Sequence, residues 1–280
     1  MLKYHSPRFS QSTDPEWFCR GEALGGRSTR IRIFGIILRL GWIFLLAGIP
    51  VVARGESPLV KDLAWAFTHY HEDPARLDAL RSGLAEAART DPDVPNLVAL
   101  AQVCFLWGDI RATTTERKLQ AFDQGRRAGE QAIEKAPQDA LAHLWYAINL
   151  GRWAQTHGVL RSLVHLPRLR EEIATILRLD PTLPGVYALA GNVYAEVPAF
   201  FGGSLPTAER MFRDGLRLDP QFTALRVGLA KTLVQEGHPA DAVQELARVL
   251  AERHPNNPAE WTVKDVPEAR RLLGQLHPAP

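Results

Sequence analysis

The stretch His69-Tyr70-His71-Glu72-Asp73 crowds two imidazoles and two carboxylates together, donor types that a divalent metal would take. Its spacing argues against a site. His69 and His71 are two positions apart, so on a helix their side chains leave from different faces, and no HExxH pair or Cys/His framework accompanies them. Nucleophilic chemistry has no better support. There is no GxSxG elbow, and the glycine pair in FGGS (201–204) falls between two helical stretches, where it reads as a turn rather than a phosphate loop. No catalytic residue, no metal and no cofactor is expected.

Binding is better represented. HLWYAINLGRWAQ (143–155) puts Trp145, Tyr146 and Trp153 on one helix with Asn149 and Arg152, and positions 145, 149, 152 and 153 share a face at i, i+3, i+4 spacing. One reading is an aromatic-walled pocket in which Asn149 and Arg152 orient a ligand. The other packs the aromatics between helix pairs and gives Arg152 a neighbouring acid. Asn192, mid-helix, points to a local hydrogen-bonding role, structural or ligand-directed. Phe200 and Phe201, beside the FGGS turn, form either a docking patch or a staple holding that turn to the helices. Trp107 completes the set of candidate ligand or partner contacts. Cys104, in an apolar helix with nothing near it to activate a thiolate, reads as core.

The elements that must carry these residues are set by five prolines. Pro92, Pro137, Pro181, Pro220 and Pro255 recur at spacings of 45, 44, 39 and 35 residues, each closing an amphipathic helical stretch that a second one precedes. A period of this size is the signature of stacked helix pairs. The pattern W-x2-L-G-x2-Y, A-x3-F, Pro is clearest in Tyr187, Ala190, Gly191 and Tyr194 on a first helix and Ala208, Phe212, Gly215 and Pro220 on a second. Helices at 59–70 and 74–90, 95–108 and 114–136, and 138–157 and 167–179 form the earlier pairs. Their extra residues are expected in the connections, and a short helix near 265–276 is expected as a cap. No alternating strand pattern of useful length occurs. The expected fold is all-α, an α-solenoid of about five tetratricopeptide-like helix pairs.

Composition limits partners and sets the ends apart. Residues 1–53 carry seven Lys/Arg and three acids, leaving 26 basic and 28 acidic residues from Arg54 onward. A near-neutral body has no electrostatic footprint for nucleic acid. Residues 1–32 read as a disordered arm. Residues 33–53 form an apolar run interrupted by Arg39, which is either a signal peptide cleaved after Ala53 or an uncleaved membrane anchor. Either reading places residues 54–280 outside the cytoplasm.

The segment NVYAEVPAFFGGSLPTAERMFRDGLRLDP (192–220), with QAFDQGRRAGEQAIEKAP and LWYAINLGRWAQ upstream, resembles the TRAP-transporter T-component family over roughly residues 90–275. That resemblance implies a periplasmic helper that associates with the solute-binding component of a transporter, with a small organic molecule as a further ligand. The resulting expectation is a non-enzymatic extracytoplasmic scaffold that binds a protein partner on its concave face. It touches a membrane only through its N-terminal segment, and homo-oligomers are compatible with it. The competing expectation is a general cell-envelope scaffold that recognises peptide segments and has no transport role.

Overall fold

The computed structural model describes residues 57–276. The arm 1–32 and the apolar run 33–53 lie outside the described residues. Among the described residues every regular element is helical. Five pairs follow one another: α1 (Pro58–His69) with α2 (Arg76–Thr90), α3 (Val94–Ile110) with α4 (Thr115–Lys135), α5 (Ala140–His157) with α6 (Val159–Leu179), α7 (Pro184–Glu196) with α8 (Leu205–Leu218), and α9 (Thr223–Gln235) with α10 (Pro239–Ala251). A last element joins α11 (Pro258–Glu260), a π-helical turn (Trp261–Asp265) and α12 (Val266–Leu276). The expected all-α solenoid of helix pairs is what the chain forms.

The proline ladder works through the residue ahead of each ring. A proline clashes with helical backbone in its predecessor and drives it into extended geometry. Asp91, Ala136, Asp180 and Asp219 all lie at φ between −135° and −145°, and each still donates its own N–H to the carbonyl four residues back. The helix therefore ends with a completed last turn and an abrupt change of direction. Side-chain caps start several helices: Ser57, Asp93, Thr114, Asp139 and Ser204 each accept an N–H from the first turn.

A second use of the ladder is less visible in the sequence. The residue six positions after three of the prolines donates back to that proline's carbonyl: His143 to Pro137 at 3.1 Å, Tyr187 to Pro181 at 2.8 Å and Arg226 to Pro220 at 2.9 Å. Proline carbonyls in these turns have no helical partner, so this bond fixes the angle at which the next helix leaves the turn. Two of the three donors also grip a buried glutamate on the following helix. His143 meets Glu172 of α6 at 2.6 Å, and Arg226 meets Glu245 of α10 at 2.9 Å.

Close approach within and between pairs is set by glycines. A Cβ at Gly191 or Gly228 would lie 2.5 Å from the Phe212 ring, and one at Gly129 would lie 2.7 Å from the Tyr146 backbone. Each aromatic fills the space that its glycines vacate, giving the dense packing typical of interiors.

Two expectations need correction. The extra residues of the 137–181 step do not form a long connection. α6 starts at Val159, directly after Gly158 (φ +102°), and keeps Pro167 inside the helix. Leu163, Leu166 and Leu169 pack against the middle core there, and that apolar contact outweighs the local preference of Gly, Ser, His and Pro for a loop. α4 and α6 each run 21 residues, so the long steps of the ladder are absorbed as helix length. The last element is also more than a cap. Ala259 is fully buried in the core of the first pairs, and Lys264 reaches Asp109 at the end of α3. The solenoid closes on itself.

Candidate partner-binding surface

The odd-numbered helices α1, α3 and α5 line the inner side of the stack, and the closing element packs on α1 and reaches α3 through Lys264. The eight residues expected to contact a ligand or partner are distributed over this side and four other places.

Trp145 is core. Its ring packs edge-on to Phe67 at 5.8 Å and against Phe105 at the same distance. Asn149 is fully buried and bridges helices: its Nδ2 donates to the Ala101 carbonyl at 2.9 Å and to the Trp145 carbonyl at 2.8 Å. Its Oδ1 has no conventional partner and sits where a Cβ on Gly125 would lie. That position faces the glycine Cα–H, the weak donor such close helix contacts use. Asn149 is therefore a seam residue between α3, α4 and α5.

Arg152 belongs to a charged seam. Its Nη2 pairs with Asp109, its Nη1 donates to Gln155 at 2.8 Å, and its guanidinium lies over Phe122 at 5.5 Å. Lys264, from the other end of the chain, binds the second oxygen of Asp109 at 2.8 Å and lies 5.7 Å over the Phe105 ring. Burial alone would raise the Asp109 carboxyl, but Lys264 and Arg152 hold it below the usual carboxylate range. The Tyr70 hydroxyl, buried in the same region without a hydrogen-bond partner, is pushed far up by burial and by the charges of Glu260, Asp265 and Asp109.

The remaining candidates lie elsewhere. Trp153 packs at a tilt on His157 at 4.1 Å and edge-on to His165 at 5.3 Å, beside α6. Trp107 donates to Asp78 at 2.6 Å, is covered by the Arg81 guanidinium at 4.3 Å, and walls a shallow groove of about 280 Å³ with Gln124 and Ser82. Asn192 is exposed on α7. Phe200 is 92% exposed and Phe201 45%, their rings crossing at 5.2 Å. The staple of that turn is instead Arg170, which donates to the Phe201 and Gly202 carbonyls at 2.9 and 2.7 Å. The shared helical face of 145, 149, 152 and 153 does not become one pocket. α5 is surrounded by α3, α4 and α6, so small rotations around it meet different neighbours.

His69 lies flat on Trp65 at 4.6 Å, with its Nδ1 by the Trp65 carbonyl at 3.0 Å. Among the described residues no group of three His, Cys, Asp or Glu is placed to hold a metal ion. Cys104 is fully buried, and burial pushes its thiol up to about 12. It is a core residue.

One carboxyl on the closing element gives a pH signature. Asp265 is 5% exposed and accepts from Thr223 Oγ1 at 2.6 Å. Burial, with a further push from Glu260, brings it up to about 7 against the opposing pull of Thr223, Lys264 and Lys231. The folded protein thus keeps a proton that the unfolded chain releases near pH 4. The stability associated with that proton is complete at low pH and is lost as pH rises through about 7, a swing of roughly 2–4 kcal/mol. Asp265→Asn is expected to flatten this part of the curve and to be more stable than the wild type at about pH 8, read from urea midpoints across pH. An unchanged slope would contradict the assignment.

Comparison with known proteins separates two parts of the chain. A family model described as "Regulator of microtubule dynamics protein 1-3" matches residues 67–199, and a tetratricopeptide-repeat model matches 203–276. Regulator of microtubule dynamics protein 3 of Rattus norvegicus is 26% identical over 198 residues, 61% of this chain and 41% of the relative. Protein 2 of that name from Macaca fascicularis is 30% identical over 96 residues, 31% of this chain and 23% of the relative. These matches correct the resemblance to TRAP-transporter T-components. The chain is similar to regulators of microtubule dynamics. With that correction go the transporter role, its periplasmic setting and the solute-binding protein as partner. The matched region spans less than half the length of these relatives. A solved tetratricopeptide protein from Thermus thermophilus superposes with a TM-score of 0.56 at 17% identity, covering 78% of this chain and 98% of that one, which shows a shared fold. No described helix is long and apolar enough to cross a membrane, and the 33–53 run expected to do so or to be cleaved lies outside the described residues. Of the residues that carried the earlier resemblance, Ala208 and Phe212 are buried where neighbouring helices pack.

Proposed function

We propose that this protein is a non-enzymatic helical-repeat scaffold that recognises segments of a protein partner. The observation that carries this reading is the stack of five helix pairs in which α1 and α3 already hold a helical segment at contact distance. Burial against a pre-formed helical surface supplies the affinity in such a mode, and a few polar groups set the register. The exposed Phe200–Phe201 pair, rigidly presented by Arg170, supports a second contact on the loop edge. A display library of helical peptides panned against the full-length chain is the test. Enriched sequences that align in one register are expected, and a pool with no enrichment would contradict the reading.

The relatives' names favour a narrower version, in which the partner belongs to the microtubule system. Its test is co-sedimentation with microtubules assembled from purified tubulin. The narrower version expects the chain in the pellet in proportion to polymer, and a chain that stays in the supernatant removes it.

A further inference from the structure

The seam between the closing element and the first pairs shares the pattern of the other polar seams, one buried carboxylate held by two side chains, here Arg152 and Lys264 on Asp109, and adds unmatched donors to it. Where α5 meets α6 and α9 meets α10, Glu172 and Glu245 are each held by two side chains: His143 and Arg168 in one case, Arg226 and Arg248 in the other. At the closing seam two buried donors on the receiving side, the Tyr70 hydroxyl and Arg152 Nε, have no partner. Native interiors rarely leave such groups unmatched, because each costs the free energy of a lost hydrogen bond. The receiving face is therefore better furnished than its present occupant requires.

The occupant shows what that face accepts. Ala259, with no exposed surface, lets the backbone of α11 approach α1, and Lys264 delivers an ammonium to Asp109 over the Phe105 ring. The π-helical turn at Trp261–Asp265 makes this possible. Its wider turn re-aims the helix, so Ala259 and Lys264 face the first core while Trp261, Ala269 and Leu272 belong to the last one. Asp109 supplies charge complementarity. Its carboxylate is held ionised by Lys264 and Arg152 together, and the oxygen that Lys264 takes is the one open to an incoming cation.

We propose that the inner face of α1, α3 and α5 is a binding site for a helical protein segment presenting a small residue and, five positions later, a lysine, and that the chain's own Ala259–Lys264 segment occupies this site as an internal stand-in. The inference rests on the scaffold reading and names its partner chemistry. A partner helix competes with the closing element for Asp109, and its binding opens the solenoid at this seam.

The test uses the full-length chain and a fluorescein-labelled synthetic peptide spanning residues 255–276. Lys264→Glu sets a carboxylate against Asp109 and Glu260 and releases the internal segment. Anisotropy is expected to show that this variant binds the wild-type peptide at least tenfold more tightly than the wild-type chain does. A peptide carrying the same Lys264→Glu change is expected to lose that binding. Lys264→Ala, which adds no buried charge, replaces the first variant if circular dichroism shows that it does not fold. Equal binding by wild type and a folded variant, or none by either, would overturn the site. That failure leaves the peptide-panning result to stand or fall separately, since a partner could then be held on the Phe200 edge.

Discussion

Replacing Phe212 with alanine is expected to lower the unfolding free energy by roughly 3–5 kcal/mol. The ring is 1% exposed and lies between Gly191 of α7 and Gly228 of α9, each of which would place a Cβ 2.5 Å from it. Three helices meet at this one side chain, so deleting it leaves a cavity that none of them can close alone. For a folded unit of this size the melting temperature is expected to fall by roughly 6–20 °C. A double-mutant cycle separates this account from generic core loss. Gly191→Ala is expected to destabilise the wild type, because its methyl meets the ring. In the Phe212→Ala background the same change is expected to stabilise the chain by about 1 kcal/mol, the ordinary helix preference for alanine. If Gly191→Ala has the same sign in both backgrounds, the interlock is wrong.

The second large effect is expected at Glu172, which is 2% exposed. Its carboxylate receives His143 at 2.6 Å and Arg168 at 2.6 Å, while the other nitrogen of His143 faces the Pro137 carbonyl at 3.1 Å. Both ring nitrogens of His143 are thus engaged. Glu172→Ala leaves Arg168 and His143 without their common buried acceptor, at a cost of roughly 3–5 kcal/mol. Changing His143 and Glu172 together to leucine is expected to recover most of the loss, since Arg168 is half-exposed and can turn to water. Urea denaturation of the single and double variants reads both outcomes. A double variant as unstable as Glu172→Ala would mean that the site depends on shape rather than charge.

How much of this was legible in the sequence follows from the range of each interaction. The helix pairs were, because a proline acts on its immediate predecessor and the apolar period repeats within one helix. The aromatic packing of the 187–220 unit was legible for the same reason. The start of α6 was not: its local composition favours a loop, and only the packing of Leu163, Leu166 and Leu169 against α5 and α7 makes it helical. The donors six residues after the prolines carried a readable signal in His143, Tyr187 and Arg226, which a search for pockets passes over. The candidate face on α5 was assigned correctly as a helix but not as a pocket, because spacing fixes angles around one helix and says nothing of its neighbours. The seam at Asp109 was out of reach, since Lys264 is 155 residues away in the chain and no local pattern announces the π-helical turn that brings it back.

The claim on which the rest depends is that the Ala259–Lys264 segment closes the solenoid against the first pairs. Amide hydrogen exchange on the full-length chain, compared between wild type and Lys264→Glu, tests it directly. Closure predicts that peptides from α1 and from Ala259–Asp265 lose protection together in the variant while those from α7 and α8 keep theirs. Loss confined to residues around 264, with α1 unchanged, would contradict it.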